Sequence, residues 1–396
     1  EEHRARSRRI VVGAWPNVRF CGLIVRTAGR CSPASILTRR PHLNLLSAYL
    51  MRAILTSTLL VMLVLLALAG LFEFIGQLDS TEGNFGTLQA LLFALLRLPQ
   101  LCFEMLPIGT LIGSLLGLGS LANNSELVVM RTAGISVIDL AGMVVISGAV
   151  LMVITALIGE FIGPPLDYFA RTMRDEARYE QENRDIGSAA WVKDGPVILH
   201  LERISTEFEF GALYLFRFND DRSLQSVARA ENSGIDDADN WILENFSETR
   251  FDNNSVQAVE SSVEVESFDL DAEMLGITLV KPVSLSARGL MSYVSYLNKN
   301  GLDAQRYETE LWSRVARTAT VVIMPALALA FVFGSLRSSG AGTRLMIGVL
   351  IGLAYFLASE MSANSGQVFN LNPAVVTWLP SIALMTITGF ALRRVR

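Results

Sequence analysis

Lysine is scarce: among 396 residues it occurs only as Lys193, Lys281 and Lys299, followed by Asp, Pro and Asn. No Gly-Lys-Ser/Thr phosphate loop can be written, so the chain does not bind ATP through a Walker A loop. Cysteine is as rare. Cys21, Cys31 and Cys102 include no CxxC pair, which excludes a disulfide framework or a zinc cluster. The histidines, His3, His42 and His200, are widely separated and leave histidine chemistry little to work with. No catalytic triad, metal cluster or paired-acid site is visible, so an enzyme in its own right is the weakest reading.

What the chain has in quantity is apolar sequence. It is 51% hydrophobic and only 18% charged, with mean hydropathy +0.40, which points to membrane integration. A bilayer core about 30 Å thick needs roughly 20 apolar residues as helix. Uncharged stretches of that order run from Ala53 to Phe72, Met105 to Ser125 and Leu140 to Gly159. After a long polar interval come Thr318 to Leu336, the shorter Leu345 to Ser359, and a last stretch from near Pro373 to Leu392. Six spans are expected, three on each side of the polar interval. Gly109, Gly113 and Gly117 in span two, and Gly348 and Gly352 in span five, form small-xxx-small ridges that permit close helix contact.

Charge gives the orientation. Formal net charge is −5, yet residues 1–40 carry nine Arg against two Glu, leaving −12 on the rest and making nucleic-acid binding a poor reading. The turns Gln77 to Thr87 and Met361 to Asn372 hold no Lys or Arg, whereas Arg131, Arg337, Arg344, Arg393, Arg394 and Arg396 fall on the other side. Both termini are therefore expected to be cytoplasmic. Residues 163–312, with 28 of the 38 acidic residues against 14 basic ones, are expected outside as a separate solvated domain.

Inside that domain the period shifts from helix to strand. A hairpin is expected around Asp194-Gly195, followed by strands over Ala212 to Phe218, Trp241 to Phe251 and Val256 to Phe268, making an antiparallel sheet or sandwich. A row of Tyr214, Phe216 and Phe218 shares one strand face. Ser286 should cap a short helix that stops at Gly301. The expected division is a basic, disordered or non-native extension over 1–43; spans one to three over 44–165; the β domain with flanking helices over 166–302; and spans four to six over 303–396. The twin Arg8-Arg9 is followed by no apolar export segment.

The most specific stretch is LGLGSLANNSELVVMRTAGIS, Leu116 to Ser136. Asn124 or Ser125 can cap a helix with Glu126 in its first turn, Leu127, Val128 and Met130 as an apolar face, and Gly134 as its end. One reading is a connector that packs on its own bundle. The other is a docking helix for an Arg-bearing groove on a soluble partner. Past span three, Arg171, Arg174 and Arg178 stand at i, i+3 and i+7, on one face if the helix continues beyond Pro165. They either present bidentate donors to a phosphorylated glycolipid or form a solvated face with Arg171 paired to Asp175. Glu73, Arg97, Glu104, Asp139, Glu160 and Glu360 flank spans, where interfacial snorkelling is the simpler reading.

The run Leu111 to Ser136, Gly159-Glu160 with Pro164, and NGLDAQRYETELW over Asn300 to Trp312 together resemble the lipopolysaccharide-export permeases of the LptF/LptG family. The resemblance covers about residues 44–396 and is closer to the family's LptG branch. It implies an ABC-transporter permease fold, six transmembrane helices arranged 3+3 with an inserted periplasmic β-jellyroll, in a Gram-negative inner membrane. It further implies an LptF-like permease as heterodimer partner, an LptB-like ATPase dimer that binds the ATP and Mg, an LptC-like periplasmic partner, and lipopolysaccharide as cargo, with no cofactor in this chain. The family's coupling helix matches residues 124–134, so Glu126, Leu127, Val128, Met130 and Arg131 become the ATPase-coupling candidates. Arg97, Arg171, Arg174 and Arg178, with Phe72 and Phe74, become the lipid-contact candidates. The sequence departs from the family at the outer end of span one, where LFEFIGQLDSTEGN carries Glu73, Asp79 and Glu82 and no base. Either the lipid is differently charged, or a divalent cation bridges acid to phosphate, or Arg97 and the span-three arginines take the task. The rival readings are the paired LptF, an ion-coupled secondary transporter, and a membrane-anchored scaffold with an external β domain.

Overall fold

A computed structural model describes residues 41–78, 85–179, 190–202, 209–219, 221–236, 240–252, 255–268, 282–334 and 339–394. The basic extension before residue 41 lies outside them. Helix α1 spans Pro41–Leu78, α2 Thr87–Asn123, α3 Glu126–Thr132, α4 Val137–Leu157 and α5 Gly163–Tyr179. After the strands come α6 (Ala287–Lys299), α7 (Gln305–Phe333), α8 (Ala341–Val368) and α9 (Pro373–Arg394).

Among the described residues, six helical segments are long and apolar enough to cross a membrane: α1, α2, the continuous Val137–Arg174 segment, α7, α8 and α9. In chain order three precede the strands and three follow. Helices α2 and α7 are the most buried, and their leucines build the bundle core with Leu50 and Ile54 of α1 and Leu140 and Val144 of α4. Helices α1 and α8 leave most of their apolar surface open, a pattern that suits lipid or another subunit and not water.

The small-residue ridges are spent within the chain. A Cβ on Gly113 would sit 2.4 Å from the Thr58 Cα, one on Gly117 2.8 Å from the Ala53 carbonyl oxygen, and one on Gly109 2.2 Å from the Met62 sulfur. The whole span-two ridge is therefore the seat of α1. Gly348 and Gly352 of α8 face Leu115, Ile112 and Ile108 of α2 in the same way.

The third span does not stop where its uncharged run stops. Pro164 and Pro165 supply no N–H, so the hydrogen-bond ladder changes register through a π-turn at Ile158–Ile162 and then resumes in α5. Glu160 in that turn is more than an interfacial charge. Its carboxylate accepts from the backbone N–H of Ala287 at 2.8 Å and of Arg288 at 3.1 Å, in the first turn of α6. Buried Arg314 of α7 donates to the carbonyls of Gly159 and Leu285, each at 2.6 Å, and lies over the Phe103 ring. Span three, span four and α6 are thereby pinned at one joint.

Among the described residues, eight antiparallel strands form one curled sheet: β1 (Ala190–Asp194), β2 (Val197–Leu201), β3 (Glu209–Phe210), β4 (Leu213–Phe218), β5 (Leu224–Ala230), β6 (Asn232–Ile235), β7 (Trp241–Asp252) and β8 (Ser255–Glu266). The order is β1-β2-β4-β5-β7-β6-β3, with β8 also on β7. The first half of β7 pairs β6 and the second half pairs β5, and Asn245, at φ 50°, sits at the switch. One face carries Leu199, Leu201, Leu213, Leu215, Ala228 and Ala230 and packs on Leu290, Tyr293, Tyr296 and Leu297 of α6. At its end Arg217 bridges Glu248 and Glu266. Burial pushes the Glu248 carboxyl up, but hydrogen bonds from Arg250 and Ser226 and the charge of Arg217 hold it below the ordinary carboxylate range.

Tyr296 joins helix to sheet, its hydroxyl donating to the Lys193 carbonyl at 2.6 Å. Burial pushes this phenol up to about 12. Its pKa is raised in the folded state, so its contribution to stability is complete below the ordinary tyrosine value of about 10 and is lost as pH rises through the folded value. A phenolate absorbance titration should lose one late-ionising phenol in Tyr296→Phe relative to the parent; superimposable titrations of the two would contradict the assignment.

Candidate functional site

Two places on the bundle gather the expected residues. The first is the corner between α2 and α4, which α3 fills. Ser125 occupies the cap position as expected, but with φ 59° and without a side-chain hydrogen bond. The chain reverses directly from Asn123 into Glu126, and a left-handed residue makes that reversal at a strain cost of roughly 1–2 kcal/mol. Gly134 closes the helix at φ +92°, its N–H bonded to the Arg131 carbonyl, with the Ile135 N–H reaching the Met130 carbonyl.

The five coupling candidates divide by helical period. Leu127 is fully buried and Met130 packs against the bundle core, so both anchor α3 from beneath. Val128 is exposed, as is Val129, which the sequence reading did not include and which is the more open of the two. Arg131 stands 5.7 Å over the Phe333 ring, beside a cavity of about 930 Å³ lined by Val128, Arg131, Phe331, Phe333, Phe390 and Arg394. Glu126 accepts a 2.6 Å hydrogen bond from the hydroxyl of Tyr49 on α1. Arg344, buried at the start of α8, donates to Asn123 at 2.9 Å and fills the space over Gly119. The α3 corner is therefore tied by one polar contact to each of the two most open spans. Neither Tyr49 nor Arg344 carries a local motif, and only the packing reveals them.

The second place lies at the sheet-proximal end, where α1, α2 and α5 meet. Arg97 donates to Glu73 at 2.6 Å, Arg171 donates to Asp167 at 2.8 Å, and the Arg97 Nε stands 3.4 Å from the Asp167 Oδ1. Those last two atoms form an ion pair without hydrogen-bond geometry, and neither has a hydrogen bond among the described residues. Arg171 pairs with Asp167 at i−4; the expected pairing with Asp175 at i+4 rests on a side chain outside the described residues. Asp167 is fully buried, and a buried carboxylate requires a cation. Arg174 lies 5.2 Å over the Phe93 ring. Phe72 is exposed, whereas Phe74 packs with Phe85 and Phe93. Arg178 belongs to α5, but its side chain lies outside the described residues, as do Asp79, Glu82 and the Asp175 side chain. The acid at the end of span one is thus the partner of Arg97. Two arginines and two carboxylates join three helices in a nearly neutral chain.

On the sheet, the Tyr214, Phe216 and Phe218 row takes the face opposite the packed leucines and is half-buried. Trp191 stacks 5.9 Å from Phe216 and 4.3 Å from His200, and Arg229 lies over Tyr214. An aromatic, partly open strip results. Among the described residues no group of three or more acidic, histidine or cysteine side chains is placed to hold a metal ion.

A bundle of six apolar helices, a folded sheet beside it, and a short solvent-facing helix between the second and third spans define a polytopic membrane protein of the permease class. Residues 48–394 match the family described as lipopolysaccharide export system permease LptF/LptG, and the chain belongs to that family. It is 31% identical over 354 residues to the lipopolysaccharide export system permease protein LptG of Escherichia coli strain K12, covering 89% of this chain and 98% of that protein. It is 28% identical over 356 residues to the LptG of Haemophilus influenzae, covering 89% and 99%.

Proposed function

We propose that the chain is the LptG-type permease of an ATP-driven lipopolysaccharide exporter in a Gram-negative inner membrane. In this reading both termini are cytoplasmic, the sheet is a periplasmic jellyroll, and the 3+3 spans pair with an LptF-like permease. An LptB-like ATPase dimer binds below, and an LptC-like protein receives the lipid. The observation that carries the reading is the near full-length relation to LptG proteins combined with a docking-sized α3 that exposes Val128 and Val129 beside a half-buried acid. A motor is required because each CH₂ taken from lipid to water costs about 0.8 kcal/mol, so a multi-acyl lipid does not leave unaided. The bundle offers an alternative apolar container, and motion of α3 reaches α1 through Tyr49 and α8 through Arg344. The half-open strip of Trp191, Tyr214 and Phe216 is an apolar path for the departing lipid. The direct test is release of lipopolysaccharide from proteoliposomes holding the chain with its partners; release without ATP or without an ATPase subunit would favour an ion-coupled transporter instead.

Lipid recognition at the outer end rests on exchange within the Glu73, Arg97, Asp167 and Arg171 chain. An anionic phosphate would replace Glu73 on Arg97 and use the misaligned Nε. Glu73→Gln is then expected to raise co-purified lipopolysaccharide several-fold, because a competing anion is gone and about 1.5–3 kcal/mol of charge-assisted hydrogen bonding becomes available. Lipid occupancy that is unchanged or lower, measured on equal amounts of folded protein, would make the network a purely structural clamp.

A further inference from the structure

A cavity of about 210 Å³ opens between α2, α7, α8 and α9 at the sheet-proximal end of the bundle. Its charged lining is Glu104 from α2, Arg306, Glu310 and Arg317 from α7, and Glu360 from α8. Three of these have local partners: Glu104 accepts from Gln100 at 3.1 Å, and Arg317 stands 3.7 Å from Glu360. Arg306 and Glu310 do not. They are one turn apart on the same helix, a spacing at which arginine and glutamate ordinarily pair, yet they are not paired with each other; Glu310 instead lies in the field of the Arg317 and Arg314 guanidiniums, opposed by Glu104 and Glu360. Three carboxylates against two guanidiniums leave the lining one negative charge in excess, which an added cation would offset.

We propose that this cavity binds the headgroup of a zwitterionic phospholipid carrying a primary amine, that is, a phosphoethanolamine lipid. Arg306, at the mouth, matches the phosphate with its planar fork of donors. Glu310, deeper on the same face, accepts from the ammonium. Ser313, Ser359 and Asn364 add neutral polar groups around the headgroup. Phe356 lines the cavity and is also open on the outer side of α8, beside Leu353 and Leu357, so the acyl chains have an apolar surface to lie on. The volume suits a small headgroup and not a phosphorylated sugar. The bound lipid would be a structural neighbour of span five, separate from the cargo.

The test uses the full chain in nanodiscs containing phosphatidylethanolamine, phosphatidylcholine and phosphatidylglycerol in equal parts, with retained lipids counted by native mass spectrometry after brief detergent extraction. Phosphatidylethanolamine should be retained preferentially. The choline headgroup has no N–H for Glu310, and the glycerol headgroup has no cation. Glu310→Gln should cut the ethanolamine-over-glycerol preference about tenfold, the loss expected for one charge-assisted hydrogen bond. Arg306→Gln should lower retention of all three lipids; if it fails to fold, Arg306→Lys, which keeps the charge but not the fork, should give intermediate retention. A selectivity ratio is unaffected by the amount of folded protein. Equal retention of the three lipids by the parent chain, or an unchanged ratio in Glu310→Gln, overturns the proposal.

Discussion

Glu126→Arg is expected to leave the chain folded in the membrane while releasing the ATPase and abolishing lipid transfer. The residue is half-buried, and it stands at the start of a seven-residue helix whose open side is Val128 and Val129. Reversing one member of a charge pair at an interface costs about 3–5 kcal/mol, or roughly two to four orders of magnitude in affinity. Co-purification of the ATPase and release of lipopolysaccharide from proteoliposomes are the two readouts. Normal ATPase recovery with this variant would remove α3 as the docking element. Tyr49→Phe is the companion arm: it deletes the 2.6 Å tie to α1 but leaves the acid in place. The ATPase should stay bound, and lipid released per ATP hydrolysed should fall. If the ratio holds, the Tyr49 contact plays no part in transmission.

Gly113→Val is expected to be among the most damaging substitutions in the bundle. Its Cβ would stand 2.4 Å from the Thr58 Cα and 2.7 Å from the Thr58 nitrogen, and neither backbone atom can rotate away. Helix α1 must move off α2. Overpacking of this kind costs typically about 1–3 kcal/mol and more where backbone must shift. Thermal aggregation in detergent should begin well below that of the parent, with poor recovery of folded chain. Gly142→Ala is the control, because nothing lies within 4 Å of the added Cβ and alanine is favoured over glycine in a helix by about 1 kcal/mol. A Gly113→Val protein as stable as the parent would mean that α1 is not seated on this ridge.

The positions of the spans were legible because an uncharged run of about twenty residues has few alternatives to a membrane helix. The β1–β2 hairpin, β4, β7 and β8 were legible from alternation, whereas β3, β5 and β6 were not; Gly195 and Gly134 were legible from the positive φ their turns require. Span three was shorter in the sequence than in the fold, since composition marks where charge begins and not where a helix ends. The π-turn that carries it past two prolines depends on Gly159 receiving the Phe103 ring, a long-range contact.

The division of α3 into anchoring Leu127 and Met130 and exposed Val128 and Val129 follows helical period, but the phase was invisible without knowing which side the bundle occupied. Glu73 illustrates the limit most sharply. In the sequence it is an acid where a phosphate-binding base was expected; in the fold it is the partner of Arg97, twenty-four positions away.

By itself the sequence determined that the chain is a membrane protein, how its apolar helices and strands follow one another, and which family it resembles. These are properties of composition, period and local motif, each set within about twenty residues. Tertiary structure alone decided that the span-two glycines seat α1, that Tyr49 and Arg344 tie the α3 corner to the open spans, and that the arginines near the sheet are already matched by Glu73 and Asp167. Charge pairing and close packing depend on distances between residues remote in the chain, and those distances exist only once the helices are assembled.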